Sequence, residues 1–119
     1  MSDLARVETS ESDGIVVARV TGELDVAGAA QMEEMIADAV PNSAHALVVD
    51  FSDLGFIDSS GVAMLFTLSR RLGSRRQELH LVAPKGSPVA RVLEIVEFDR
   101  AAPVHPDLDS AVAEAGDGS

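Results

Sequence analysis

Apolar residues recur along the chain in patterns that separate strands from helices. Residues 14–26, GIVVARVTGELDV, are rich in β-branched side chains and follow a turn signal in SESDG, which predicts a strand. The preceding segment LARVETS is its candidate partner in a hairpin. Segment 46–54 holds a short continuous apolar run, which is typical of a strand buried on both faces of a sheet, and segment 78–84 is predicted to be another buried strand. A short edge strand is predicted at PVH, residues 103–105.

Four segments carry the period of a helix instead. Segment 27–40 is expected to turn inward the residues Met32, Met35, Ile36, Ala39 and Val40. Segment 59–73 is expected to turn inward Val62, Leu65, Phe66, Leu68 and Leu72, with Gly73 as its stop. Segment 87–98 begins with Ser87 as N-cap and Pro88 at the first helical position. A last helix is predicted within 106–115.

The order of these elements is ββαβαβαβα, which favours right-handed crossovers onto a largely parallel sheet. We therefore predict an α/β fold whose mixed, four- to five-stranded sheet carries its helices predominantly on one face. No internal repeat or linker divides the 119 residues, so 1–119 is expected to be a single domain. Its core should span about 4–114, and residues 115–119 should form a frayed tail.

Composition and charge exclude several classes of protein and of function. Hydrophobic residues make up 46% of the chain and aromatic residues only 3%, so the core must be aliphatic. The absence of cysteine excludes a disulfide scaffold, a cysteine zinc site and thiol catalysis. A net charge of −11 opposes binding to nucleic acid. The local basic cluster SRRLGSRR, around a predicted helix end, is interpreted as a solvated face that complements the helix dipole.

No apolar run approaches the roughly 18 residues that would suggest a membrane span, and the first residues do not form a signal peptide. A cytoplasmic protein without a membrane partner is the resulting expectation.

No motif for catalysis is visible. The chain lacks the G-x-S-x-G elbow of a hydrolase and the glycine loops that hold nucleotides. Its three histidines, His45, His80 and His105, each lie in a segment explained by a turn or a strand. We therefore expect neither an enzyme nor a bound cofactor.

Acidic residues near the end of one predicted strand leave two alternatives open. Asp50, Asp53 and Asp58 are conceivable metal ligands, but solvated loops and Asx turns are the favoured interpretation. A strand ending in LVVD also resembles the phosphoacceptor strand of a response-regulator receiver. A receiver, however, carries an acidic pair near the end of its first strand, where this chain has TGELDV.

The stretch FIDSSGVAML, residues 56–65, lies where a predicted loop meets a predicted helix. Ser59 or Ser60 is therefore a candidate N-cap, which would bond a free N–H of the first turn. The same helix start has a partial positive charge and unpaired N–H donors, so it can also accept a phosphate. A serine at this position could be phosphorylated without breaking the fold.

Two motifs, TGELD at 21–25 and DSSG at 58–61, occur in an order and at a spacing that resemble the STAS-domain anti-sigma factor antagonists over about residues 4–114. The resemblance implies a STAS-like fold and a phosphorylation switch. The unphosphorylated protein would bind an anti-sigma factor that is also an ATP-dependent serine kinase, and so release the sigma factor. Phosphorylation of Ser59 would end binding, and a metal-dependent serine phosphatase would reverse it.

The same resemblance implies which residues contact the partner. Asp25 matches an acidic residue implicated in partner contact and phosphorylation, and the free protein is expected to be a monomer. The full set of expected contact residues is Asp25, Asp58, Ser60, Gly61, Val62 and Met64. Met64 lies off the apolar stripe, which would place it on the exposed binding face, but an ordinary surface or core methionine is the favoured interpretation. A scaffold role in a lipid- or anion-transport complex is the competing function.

Overall fold

A hairpin of two antiparallel strands opens the fold. Strands β1 (Arg6–Ser12) and β2 (Ile15–Leu24) pair from Arg6↔Thr21 to Ser12↔Ile15. The two residues between them, Asp13 and Gly14, have φ of 53° and 80°. Positive φ at both positions is the conformation of a type I′ turn, which matches the twist of the flanking strands. The hairpin predicted from the sequence is confirmed.

The computed structural model describes residues 4–117. After the hairpin its elements are α1 (Ala29–Ala39), β3 (Ala46–Asp50), β4 (Leu54–Ile57), α2 (Ser59–Ser74), β5 (Glu78–Val82), α3 (Pro88–Ile95), a 3₁₀ turn (Phe98–Arg100), β6 (Val104–His105) and α4 (Leu108–Asp117). The alternation of strands and helices agrees with the order predicted from apolar spacing.

The sheet is mixed and contains six strands among the described residues, one more than the highest number expected. Its main order is β1-β2-β3-β5-β6, and every pair after the hairpin is parallel. The additional strand, β4, forms in a segment predicted to be a loop, and it pairs with β2 beyond the end of β3. The antiparallel β1 is incompatible with the all-parallel sheet of a receiver, so that alternative is wrong.

Helices cover the two faces of the sheet unequally, as predicted. Buried residues of α1, α2 and α3 form one large cluster with Val16, Leu47 and Leu81 of the strands. Within residues 4–117, α4 is the one helix on the other face, and its Ala111 and Ala115 pack in a smaller cluster. The strand residues of this second cluster are Ile15, Ala46, Val48 and Val82. Strand residues therefore alternate between the two cores, which is why the central strands read as continuous apolar runs.

Helix ends and burial depart from the sequence prediction at several positions, among them the end of α3, which is Ile95 and not residue 98. Helix α2 continues through Gly73 to Ser74. Met35 on α1 is exposed instead of inward, since α1 buries the stripe that contains Met32 and Ile36. The expected frayed tail is wrong at 115–117, because α4 continues to Asp117 and its residue Ala115 is fully buried. The other expected tail residues, Gly118 and Ser119, lie outside the described residues.

Two arginines of the basic cluster tie α2 to the α1 region instead of only facing solvent. Arg71 donates from Nη1 to Glu33 at 2.9 Å and to Glu34 at 3.0 Å, and these carboxylates raise the pKa of its guanidinium. Arg75 donates to the Val40 carbonyl at 2.9 Å. These contacts orient the two helices, although exposed ion pairs of this kind add little stability.

A β-bulge at Gly22 produces the first prediction. Gly22 has φ of 89°, and a Cβ at this position would lie 2.4 Å from the Leu4 carbonyl oxygen. Gly86 has a similar φ of 80° with open space around it, so Gly86→Ala measures the backbone strain alone. We expect Gly86→Ala to lower the free energy of unfolding by about 1 kcal/mol, and Gly22→Ala to lower it by about 1–3 kcal/mol more. Urea denaturation of both variants measures the difference, and equal losses would contradict the steric contact.

Candidate functional site

The two motifs meet because β2 and β4 are parallel partners. Leu24 and Ile57 face each other across the ladder, and the backbone N–H of Asp58 donates to the Leu24 carbonyl at 3.1 Å. Asp25 and Asp58 follow this pair directly. The carboxyl ends of both strands therefore place TGELD and DSSG side by side at one edge of the sheet, although 32 residues lie between Asp25 and Asp58 in the sequence.

Asp58 is the N-cap of α2, so the expectation of a serine N-cap is wrong. Its Oδ1 accepts from the backbone N–H of Ser60 at 2.9 Å and of Gly61 at 3.1 Å. Asp and Ser are both strong N-caps, and the extended backbone of Asp58 decides between them. Two of the N–H donors that were expected to receive a phosphate are consequently occupied by a carboxylate.

The two serines differ in exposure. Ser59 occupies the first helical position and is exposed, whereas Ser60 is half-buried. Within residues 4–117, the Ser59 hydroxyl makes no hydrogen bond to the protein. Ser59 is therefore the hydroxyl of this loop that is more accessible to another protein.

Asp25 forms a turn of its own between β2 and α1. Its Oδ1 accepts from the Ala27 N–H at 3.1 Å, and its carbonyl accepts from Gly28 and Ala29 at 3.1 and 3.0 Å. These bonds give Asp25 a structural role as an Asx turn. The second carboxylate oxygen accepts no bond within residues 4–117, so the side chain also offers an acceptor at the surface.

Gly61 lets the helix approach the strand pair closely. A Cβ on Gly61 would lie 2.6 Å from Ile57 Cγ1 and 3.1 Å from the Leu24 carbonyl oxygen. The glycine of DSSG is therefore explained by packing against the same two residues that join the motifs.

Two residues expected at the partner surface are in the core. Val62 is 7% exposed and Met64 is 3% exposed. Met64 is therefore a core methionine, and its placement on the exposed binding face is wrong. The physical reason is that Met64 belongs to a helical stripe that also contains Gly61, Leu65 and Leu68. The spacing of bulky apolar residues does not reveal the start of this stripe, because its first member is a glycine. In this structure neither Val62 nor Met64 presents its side chain to a partner.

Two apolar side chains that the sequence interpretation missed are exposed beside the motifs. Val26 follows Asp25 and is 75% exposed, and Phe56 precedes Asp58 by two positions and is 46% exposed. Phe56 is one of only four phenylalanines in the chain. In β4 the outer residues Leu54 and Ile57 are buried while Phe56 is exposed, so the strand lacks the two-residue alternation that would have predicted it from the sequence.

The other acidic residues near the end of β3 have local partners. Asp50 accepts from the backbone N–H of Ser52 at 2.9 Å and from its hydroxyl at 2.6 Å, while Asp53 pairs with Arg19. The Asx-turn interpretation of Asp50 is confirmed. Within the part of the chain that the structure describes, Asp50, Asp53 and Asp58 do not form a group with metal-ligand spacing.

Comparison with known proteins gives the family. Residues 6–111 match the STAS domain. The chain is 31% identical over 98 residues to the anti-sigma-F factor antagonist RsfB of Mycobacterium tuberculosis, covering 82% of this chain and 79% of that protein. The chain belongs to the STAS-domain family of anti-sigma factor antagonists.

Solved structures agree with this assignment. The crystal structure of an anti-sigma factor antagonist from Mycobacterium paratuberculosis superposes with a TM-score of 0.83 at 29% identity over 93% of each chain. The Bacillus cell fate determinant SpoIIAA in its phosphorylated form gives a TM-score of 0.67 at 25% identity, over 92% of this chain and 98% of that one. No helix within residues 4–117 has the length and apolar character needed to cross a membrane.

The second prediction tests the close approach at Gly61. We expect Gly61→Ala to lower the free energy of unfolding by about 1–3 kcal/mol, because the new methyl group meets a side chain and a carbonyl. Gly73→Ala lies in the same helix with open space around it, and should raise stability by up to about 1 kcal/mol. Chemical denaturation of both variants checks the opposite signs; stabilisation by Gly61→Ala would contradict the packing described here.

Proposed function

We propose that this chain is an anti-sigma factor antagonist controlled by phosphorylation of Ser59. The unphosphorylated form binds an anti-sigma factor that is also a serine kinase, and binding releases the sigma factor. The observation that carries the proposal is the position of Ser59: it is exposed at the start of α2, beside the loop that follows TGELD. The kinase transfers the terminal phosphoryl group of ATP to the Ser59 oxygen, and a metal-dependent serine phosphatase removes it.

The surface around Ser59 has the composition of a small protein interface. Val26 and Phe56 supply exposed apolar area, and Asp25, Ser59 and Ser60 supply polar groups beside it. Aromatic anchors surrounded by polar groups are typical of sites where a few residues provide most of the binding energy. Val26 and Phe56 replace the buried Val62 and Met64 as proposed contact residues.

Asp58 and Gly61 contribute to the same site indirectly. Asp58 holds the first turn of α2 through two backbone bonds, and Gly61 sets that turn against β2 and β4. A hydroxyl on a fixed helix start is presented to a partner with little loss of conformational entropy on binding.

Phosphorylation would act by local charge. Phosphoserine carries about −1.5 to −2 charges at neutral pH, and it would adjoin the Asp58 carboxylate, which already takes the N–H groups of Ser60 and Gly61. The phosphate would therefore be compensated only in part by its own chain. A partner surface that accepts a neutral hydroxyl would have to bury an unmatched charge, which costs several kcal/mol. The phosphorylated relative keeps a similar fold, which supports a switch without refolding.

The third prediction identifies the acceptor. Ser59→Ala should abolish transfer of labelled phosphate from ATP by the anti-sigma kinase, because the accessible hydroxyl is gone. Ser60→Ala is the matched control and should still be labelled, more slowly if the second serine helps to position the first. Mass spectrometry of the intact and digested proteins measures both, with circular dichroism to verify folding. Undiminished labelling of Ser59→Ala would refute the assignment.

The fourth prediction concerns binding. Ser59→Glu should weaken binding to the kinase, and Ser59→Ala should bind persistently, although one carboxylate mimics a phosphate only in part. Asp25→Asn preserves the acceptor of the Asx turn and removes the charge, so weaker binding would assign the carboxylate to the partner contact. Calorimetric titration of the unphosphorylated proteins with kinase and nucleotide measures these affinities.

Three outcomes of that titration are distinct. Wild-type affinity for Asp25→Asn alone would leave Asp25 with its structural turn only. Equal affinities for wild type, Ser59→Glu and Asp25→Asn would place the binding face elsewhere and overturn the proposed switch. Absence of any kinase binding, together with recovery of transporter subunits in a pull-down, would favour the transport-scaffold function instead.

A further inference from the structure

Two histidines and a glutamate converge on the face of the sheet opposite to α2. His80 on β5 alternates with Leu79 and Leu81, which face the main core, so it points toward α4. His80 Nδ1 lies 3.1 Å from Nε2 of His105 on β6, and the same Nε2 lies 3.0 Å from Oε2 of Glu114 on α4. Both imidazoles are buried, and the Glu114 side chain is 57% exposed.

Glu78 determines which atoms His80 can offer to this cluster. Its Oε1 lies 2.9 Å from His80 Nε2, and a carboxylate can only accept. The neutral His80 ring therefore carries its proton on Nε2 and directs the Nδ1 lone pair toward His105. Carboxylate bonding to the far nitrogen is the arrangement that fixes the tautomer of metal-bound histidines.

Three electron-pair donors then face one another. The Nδ1 lone pair of His80, the Nε2 of His105 and the Glu114 carboxylate lie within 4.8 Å of one another. One proton on His105 Nε2 can satisfy only one of its two neighbours. A cation located among the three atoms would satisfy all of them at once.

The spacing fits a single small cation. Two nitrogen ligands at about 2.0–2.1 Å from a tetrahedral zinc ion are about 3.3–3.4 Å apart, close to the separation of the two imidazole nitrogens. The Glu114 carboxylate already lies 3.0 Å from His105 Nε2, and because its side chain is more than half exposed, it can rotate to the distance that a zinc–oxygen bond requires. Two histidines and one carboxylate are a known ligand set for zinc, with water at the fourth position.

We propose that His80, His105 and Glu114 form a binding site for a divalent transition-metal ion, with Zn²⁺ as the best match. The ion joins α4 to strands β5 and β6 and so stabilises the packing of this helix on the second face of the sheet. This role is structural and independent of Ser59, which lies at the start of a helix on the opposite face. The sequence does not predict this site, because its ligands come from three separate elements.

The test is calorimetric titration of ZnCl₂ into untagged full-length protein that has been freed of metal with a chelator. We expect saturable one-to-one binding and an upward shift of the midpoint of thermal unfolding. Glu114→Gln should weaken zinc binding by at least about tenfold, since even outer partners of metal ligands contribute 10–100-fold. Asp109→Asn removes an equal charge from an exposed position on the same helix and should leave the affinity unchanged.

A second probe reports the ligands directly. Co²⁺ bound by two imidazoles and a carboxylate should give visible absorption bands that change in Glu114→Gln and disappear in His105→Gln. Absence of one-to-one zinc binding, equal weakening by Asp109→Asn, or wild-type affinity in Glu114→Gln would each overturn the proposal. Because Glu114 is exposed, its variant decides the matter even if His105→Gln, at a buried position, does not fold.

Discussion

The parallel pairing of β2 with β4 is the interaction on which the candidate site depends. Only the last part of β2 is available to β4, because β3 occupies its first part. The backbone bond from Asp58 to Leu24 ends that ladder and fixes where α2 begins. Gly61 then permits the helix to pack on the same strand ends. The positions of Asp25, Asp58 and Ser59 all follow from this short stretch of sheet.

The same arrangement separates residues that build the loop from residues available to a partner. Asp58 and Gly61 are explained by backbone bonds and packing, so substitutions there would change the shape of the site before they changed its chemistry. A partner can instead reach the exposed side chains of Ser59, Val26 and Phe56. Each motif region therefore contains residues that fix the shape of the loop and residues that can contact a partner, and the structure is needed to distinguish the two. Asp25 combines both, with one carboxylate oxygen used for its turn.

The sequence predicted those features that depend on long, regular patterns. The hairpin, the buried strands and the four helices were recognisable from alternation and helical spacing, and the two motifs indicated the family. Strand β4 was missed because four residues carry too little pattern, and its backbone partner is 32 positions or more away. The sequence favours an ordinary methionine at Met64 but does not separate surface from core, because its buried stripe begins at a glycine, whose packing role has no signature in hydrophobicity.

The histidine cluster could not be predicted from the sequence for a different reason. His80, His105 and Glu114 each have an ordinary explanation within their own element, and their convergence depends on the register Val82↔His105 and on the seating of α4. Apolar spacing predicts which face of an element is buried, but not which polar residues meet there. The two candidate sites consequently differ in whether the sequence can predict them. Contiguous motifs indicate the loop that carries Ser59, whereas the histidine cluster beside α4 is identified only from distances between side chains.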